Sequence, residues 1–198
     1  NLPANIDQSL RDSIGALKYD EWSISEAVRQ QFQPGDQRKN ASIIEIYTNE
    51  PGGKEYLGSI VSKFNGVVSG GIRLFLDDVV IYRYADILLM KAEAKNALDQ
   101  DPSDEMNAVR ARAFGANFAG HEFVSGSKEA NDDAILKERL LELTFEGKRW
   151  WDLIRFGKAF DLVPSLQSRA GQDYLLLFPI SETTLSLETK VKQNEGYN

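Results

Sequence analysis

Two carboxylates, Asp86 and Glu93, stand seven residues apart, which sets them on one helix face, two turns from each other. Glycoside hydrolysis uses a carboxylate pair flanking the scissile bond. Two groups on one straight helix grip opposite sides of a sugar poorly, so ion pairing with arginines such as Arg83 and Arg110 is the expected role. Arg139, Glu142, Glu146 and Arg149 repeat at intervals of 3, 4 and 3, stringing alternating charges along one helix face. Buried, such pairs specify geometry more than they add stability; a catalytic Arg–Glu cluster is the alternative. Trp150-Trp151 beside Phe156 offers a stacking platform for sugars or bases, or a core anchor. The leucine stripe running into Trp150 favours the anchor. His121, the one histidine, lies in a loop between Gly120 and Glu122 and is expected to be exposed, because no Ser–Asp arrangement points to it.

The absence of cysteine excludes disulfides, thiolate chemistry and zinc fingers, and one histidine excludes a His-rich metal centre. No Walker loop, dinucleotide glycine fingerprint or EF-hand loop occurs, and the Gly66–Gly71 stretch lacks the lysine and spacing that phosphate needs. No catalytic residue, metal ligand or cofactor is therefore assigned. Binding is a different matter. Trp22, Tyr47 and Tyr56 lie in the irregular first third, and aromatics on loops mark contact surfaces more often than aromatics on regular apolar faces. These three are the expected ligand contacts, with partial burial in the core the alternative for each.

The rest of the composition narrows the class. Apolar residues at 42% of 198 rule out wholesale disorder, and no apolar run approaches the length of a membrane-spanning helix. A net charge of -7 with scattered basic residues argues against nucleic acid or an anionic membrane surface as partner. Beginning at Asn1 with no signal peptide ahead of it, the sequence reads as a processed chain or a piece of a longer protein.

The elements that must position these residues follow from spacing and turn signals. Residues 1–36 read as helix with loops, carried by Leu10, Ile14, Leu17, Trp22 and Ile24. Ser42–Tyr47 and Tyr56–Phe64 read as short extended segments about the Pro51-Gly52-Gly53 turn. Residues 1–78 form a loop-rich connecting region, and 79–198 a helical one. Val79–Leu98 predicts a helix with two apolar stripes, one of Ile81, Ala85, Leu88 and Ala92, the other of Ile87, Met90, Ala94 and Ala97. Asp101 is expected to cap the next helix with Pro102 as its first residue, and Gly115 stops it. The pair has about the 34-residue size of one tetratricopeptide-type repeat, and one repeat cannot bury its own face. Asp132 or Asp133 is expected to cap a helix from Ala134 to Phe145, with Gly147 at its end. A further helical segment follows over Arg149–Phe160, and Ser181 caps a last short turn.

Several ordered blocks resemble the SusD/RagB family of surface glycan-binding lipoproteins. They are Arg83-Tyr84-Ala85-Asp86, Asn107-Ala108-Val109-Arg110-Ala111-Arg112-Ala113, Glu138-Arg139-Leu140-Leu141-Glu142-Leu143, Phe145-Glu146-Gly147-Lys148-Arg149-Trp150-Trp151-Asp152, Phe178-Pro179-Ile180 and Gln193-Asn194-Glu195-Gly196-Tyr197. Asp36-Gln37-Arg38 and Lys63-Phe64 echo upstream family positions. The resemblance is strong over about residues 79–197. It implies a mainly α fold of tetratricopeptide-like helix pairs with long irregular loops, one structural domain that is the C-terminal part of a longer chain. It also implies a non-catalytic role at the cell outer membrane, through a lipid anchor outside this chain. Members capture oligosaccharides, or for some a peptide ligand, for import through a SusC-like TonB-dependent transporter. A helical-repeat scaffold binding only protein and an all-helical glycosidase using Asp86 or Glu93 are the rival readings.

Overall fold

The computed structural model describes residues 2–14 and 23–197, arranged as two compact units, Asn1–Gly147 and Lys148–Asn198. Leu17 and Trp22 lie outside the described residues. In the first unit, helix α1 (Gln8–Ile14) and the short α2 (Glu26–Arg29) and α3 (Gln37–Ser42) precede two hairpins. Strands β1 (Ile43–Glu50) and β2 (Gly53–Val61) pair antiparallel, with Ile43 opposite Val61 and a bulge between Ile46 and Tyr47. Isoleucine-rich β1 and the Pro51-Gly52 turn suit this hairpin. Ile46 and Ile60 bury against Ile6 and Ile14. The Gly-rich stretch is itself a hairpin, β3 (Val67–Ser69) with β4 (Ile72–Leu74). Gly70 and Gly71 turn it at φ 57° and 78°, the pair of positive angles that a tight hairpin requires.

Helix α4 spans Tyr84–Ala97, shorter than expected. Residues 75–83 carry no regular structure, consistent with the preference of β-branched Val79, Val80 and Ile81 for extended backbone. The buried face of α4 is Ala85, Leu89, Ala92 and Asn96, with Asp86 beside it. Of the second expected stripe, Ile87, Ala94 and Ala97 are exposed. Helix α5 (Ser103–Phe114) starts one residue later than expected, with Pro102 in the cap position, but Asp101 still accepts from the Ser103 amide (2.9 Å) and hydroxyl (2.6 Å), and the helix stops at Gly115 as expected. Helix α6 (Lys128–Glu142) starts earlier than the aspartates suggested, because Ser127 Oγ accepts the capping bond from the Ala130 amide. It ends at Glu142, ahead of Gly147, since Phe145 already takes a left-handed φ of 65°. Helices α4, α5 and α6 pack on one another around fully buried Leu89, Met106, Val109 and Ile135.

The second unit holds α7 (Arg149–Arg155), α8 (Ala159–Leu162) and α9 (Glu182–Leu187). The helix expected over Arg149–Phe160 is thus broken, at a Gly157 with φ 65°. Ser181 caps α9 by accepting from the Thr184 amide, as expected. The terminal block is a clamp. The Gln193 amide bonds both the N–H and the carbonyl of Ile180 at 2.8 Å, Asn194 Nδ2 donates to the Phe178 carbonyl, and the Tyr197 hydroxyl donates to that of Leu177. Gly196 lies on the Tyr174 ring at φ 92°, and a Cβ there would sit 2.3 Å from Tyr174 Cγ. We expect Gly196→Ala to cost about 1–3 kcal/mol through strain and overpacking. Native-state hydrogen exchange reads it: protection of the Ile180 amide should fall while that of the Leu89 amide stays.

Candidate functional site

The charged residues of the sequence blocks converge on the end of α6. Arg38 grips Asp36 with Nε (2.9 Å) and Nη2 (2.7 Å), and its Nη1 donates to Glu138 Oε1 at 2.5 Å and reaches Glu142 Oε2 at 3.4 Å. Glu138 also accepts from Arg110 Nε at 2.8 Å. Glu142 accepts from Arg83 Nη1 at 2.6 Å and from Arg112. Glu146 accepts from Arg83 Nε (2.9 Å) and from Lys63 Nζ (2.6 Å).

Lys63 and Arg83 have a second task. Helix α6 ends without a capping glycine, leaving carbonyls that need donors. Lys63 Nζ donates to the carbonyls of Glu142 (3.0 Å) and Thr144 (3.1 Å), and Arg83 Nη2 donates to that of Glu142 (2.6 Å). Cations at a helix C-terminus also meet the negative end of its dipole. Burial pushes the Lys63 ammonium below its ordinary pKa, against the pull of Glu146. Burial pushes the Glu146 carboxyl up, but Arg83 and Lys63 outweigh it and hold the group below the usual carboxylate range.

Of the two constellations read from spacing, Asp86 and the set Arg139, Glu142 and Glu146 are parts of a framework. Asp86, 1% exposed, pairs with Arg139 at 3.0 Å across α4 and α6, rather than with Arg83 or Arg110. Arg139 turns to Asp86, and Glu142 and Glu146 turn to cations from other elements, Arg83 among them for both, instead of pairing along one face; Arg149 belongs to α7 because α6 has ended. Asn107 latches the loop before α6 by donating to the Phe123 carbonyl (3.0 Å) and accepting from its amide (2.6 Å). Spacing gave no sign of Asn96 and Asn131. Asn131 Nδ2 donates to Asn96 Oδ1 at 2.9 Å, and Asn96 Nδ2 donates to the Lys128 carbonyl and to Asp132, tying α4 to the start of α6. Carboxylates held this way, by cations on several sides and away from solvent, have no free oxygen to attack a substrate or carry its proton.

The aromatic candidates fall differently. Tyr47 and Tyr56 face each other across β1 and β2, edge to face at 5.6 Å, and both are half-buried. The Arg29 guanidinium covers one face of Tyr56 at 3.9 Å. Glu45 accepts from Arg29, from the Tyr47 hydroxyl and from Lys39. Trp22, the third expected contact, lies outside the described residues. His121 is not the free loop residue expected: its ring stacks on Phe114 at 4.0 Å, 8° from parallel, and its Nδ1 lies 2.8 Å from Gln33 Oε1. The tryptophan pair divides. Trp150 is half-buried, whereas Trp151 is 55% exposed and meets Phe178, 65% exposed, edge to face at 6.1 Å. The residue one step along α7 lies on another face, so one doublet cannot serve wholly as an anchor. Among the described residues no cluster of His, Asp or Glu is arranged to hold a metal ion, and no helix is long and apolar enough to cross a membrane.

A mainly α scaffold of tetratricopeptide-like helix pairs, with its charged blocks spent on internal ties, defines a class of protein. The comparisons name the family. The SusD family model matches residues 47–175, and the chain belongs to that family. It is 36% identical over 145 residues to SusD-like protein P38 of Formosa agariphila, a match covering 69% of this chain and 28% of that protein. Among solved structures it is similar to B. fragilis NanU (36% identity, TM-score 0.72, covering 89% of this chain and 39% of that one). It is also similar to a SusD superfamily protein of Bacteroides fragilis NCTC 9343 (28% identity, TM-score 0.77, covering 89% and 40%). The chain thus spans well under half the length of these relatives.

Proposed function

We propose that this chain is part of a non-catalytic binding protein that captures oligosaccharides at the outer-membrane surface for import through a SusC-type TonB-dependent transporter. A lipid anchor outside these residues would hold it there. The observation that carries the reading is the family match over residues 47–175. The non-catalytic part rests on the carboxylates: Asp86 is locked to Arg139, and Glu138, Glu142 and Glu146 are each held by two or more cations.

Binding would use aromatic faces and hydrogen bonds on a largely preformed surface. Tyr47 and Tyr56 are the contacts assigned to it here, together with Trp22. Calorimetric titration of an oligosaccharide panel into the protein from its complete reading frame, with the 198-residue chain in parallel, tests this. Binding should appear in the complete protein, and Tyr47→Ala should weaken it about tenfold, or 1.4 kcal/mol, with thermal melting reading separately the packing lost against Tyr56. Unchanged affinity removes Tyr47 from the site. Silence across the panel overturns glycan capture in favour of a peptide ligand or a scaffold binding only protein.

A further inference from the structure

In the second unit, Asp173, Tyr174 and Leu177 on one stretch of chain and Asn194, Glu195 and Gly196 on another line an open cleft of about 500 Å³. That is within the range of roughly 300–1,000 Å³ for small-molecule sites. Its walls are fixed before anything enters. Asn194 Nδ2 donates to the Phe178 carbonyl at 2.7 Å, and the Tyr197 hydroxyl donates to that of Leu177 at 2.8 Å. The Tyr174 ring rests on Gly196 and meets Tyr197 edge to face at 5.2 Å, and its hydroxyl is spent on Gln172 Oε1 at 3.2 Å. The polar side-chain atoms that remain are acceptors. Asp173 and Glu195 are exposed, and neither carboxylate has a hydrogen-bond donor or a cation among the described residues. Asn194 has given an N–H to Phe178 and keeps Oδ1, an acceptor. Arg169, which reaches Gln172 at 3.3 Å and the Tyr174 hydroxyl at 3.5 Å, does not line the cleft. The carboxylates around the end of α6, by contrast, already hold cations.

We infer that this cleft is a subsite for a neutral sugar ring, a ligand rich in hydroxyl donors and without a carboxylate or sulfate. The inference rests on the reading of the protein as a glycan binder, though not on Tyr47 or Tyr56. Acceptors on both walls call for a ligand that brings donors. Adjacent hydroxyls of a pyranose can each give a hydrogen to one of the two oxygens of a carboxylate, and bonds to an ionised acceptor are the stronger kind. Leu177 and the Tyr174 ring supply apolar surface for the C–H face of the sugar. Two carboxylates without cations repel an anionic sugar, on a chain whose net charge is -7. A hard cation fits less well, because calcium draws on about six to eight oxygens, and among the described residues no cluster of His, Asp or Glu is arranged for a metal ion.

Calorimetry on the protein from its complete reading frame tests this, with neutral hexose oligosaccharides set against their counterparts oxidised at C6 to uronic acids. In low salt the neutral sugars should bind about tenfold more tightly than their uronates. The double variant Asp173→Asn, Glu195→Gln keeps the shape of the cleft and removes both charges. It should weaken neutral binding about tenfold and bring the uronates within about threefold of the neutral sugars. Both side chains are exposed, so the fold should be unaffected, which thermal melting checks. Neutral affinity unchanged in the double variant overturns the cleft and leaves glycan capture standing. So does a loss in Trp151→Ala with the double variant unaffected, which would put the sugar on the exposed Trp151–Phe178 pair instead. Uronates that bind as tightly as the neutral sugars overturn it too. Silence across the whole panel overturns the glycan reading and this subsite with it.

Discussion

Glu142→Ala is expected to cost about 3–5 kcal/mol of folding stability, the range for removing one partner of a buried ion pair. The Glu142 side chain is wholly buried and receives Arg38, Arg83 and Arg112 at once. Without it, those three arginines, Arg110 and Lys63 share only Asp36, Glu138 and Glu146, and a cavity is left where the side chain stood. Equilibrium denaturation reads the loss, and Glu142→Gln, which keeps the shape and an acceptor, should lose less. Asp7→Ala, which removes the partner of exposed Lys54, is the surface comparison and should change little. A Glu142→Ala loss as small as that of Asp7→Ala would mean the cluster is not a framework. Acid gives an independent readout. Arg83 and Lys63 hold the folded Glu146 pKa below its ordinary 4.5, despite burial. A carboxyl with a depressed folded pKa contributes stability that is fully present above the unfolded value and is lost as pH falls through the folded one. Stability should therefore decline below about pH 4.5, and less steeply in Glu146→Gln, where this group no longer titrates.

Why the family was legible in the sequence while its binding site was not has a physical answer in the same cluster. Asp36, Arg38, Lys63, Arg83, Arg110, Glu138, Glu142 and Glu146 come from separate stretches of chain and meet around one helix end. Each must keep its type for the others to be satisfied, so the pattern is specific to the fold. The same residues are turned inward and paired, so they carry no information about a ligand. Turn and cap chemistry was legible where it was local: Asp101 before α5, Gly115 after it, and Ser181 before α9. It failed for α6, whose start is set by Ser127 and whose end is held by Lys63 and Arg83 from far along the chain. No spacing rule sees a cap supplied from 60 to 80 residues away, as roughly here. The two hairpins were half legible. The isoleucines and the Pro-Gly turn marked β1 and β2, but three-residue strands about Gly70-Gly71 are too short for alternation to stand out. By sequence Tyr47 and Tyr56 read as loop aromatics, yet they lie opposite each other in a β-ladder, because residue type alone does not say that two strands will pair.

Helix α4 shows both the reach of periodicity and its limit, and it sets the second large effect. Leu89→Ala should destabilise the chain by about 2.7–5 kcal/mol, the lost transfer energy plus the cavity left among packed helices. Leu89 is 0% exposed, in the middle of the face that meets α5 and α6. Apolar spacing alone did not single it out. The buried face carries Asp86 and Asn96, made tolerable by Arg139 and Asn131, so its mean polarity hid it. Ile87, by contrast, falls on an apolar stripe by spacing and is half exposed. Ile87→Ala in the 198-residue chain should cost under about 0.5 kcal/mol, as at other exposed positions. The contrast between the two variants, measured by denaturation in the same background, fixes which side of α4 is core. A large loss from Ile87→Ala already in the 198-residue chain would instead mean that this side of α4 is packed within these residues.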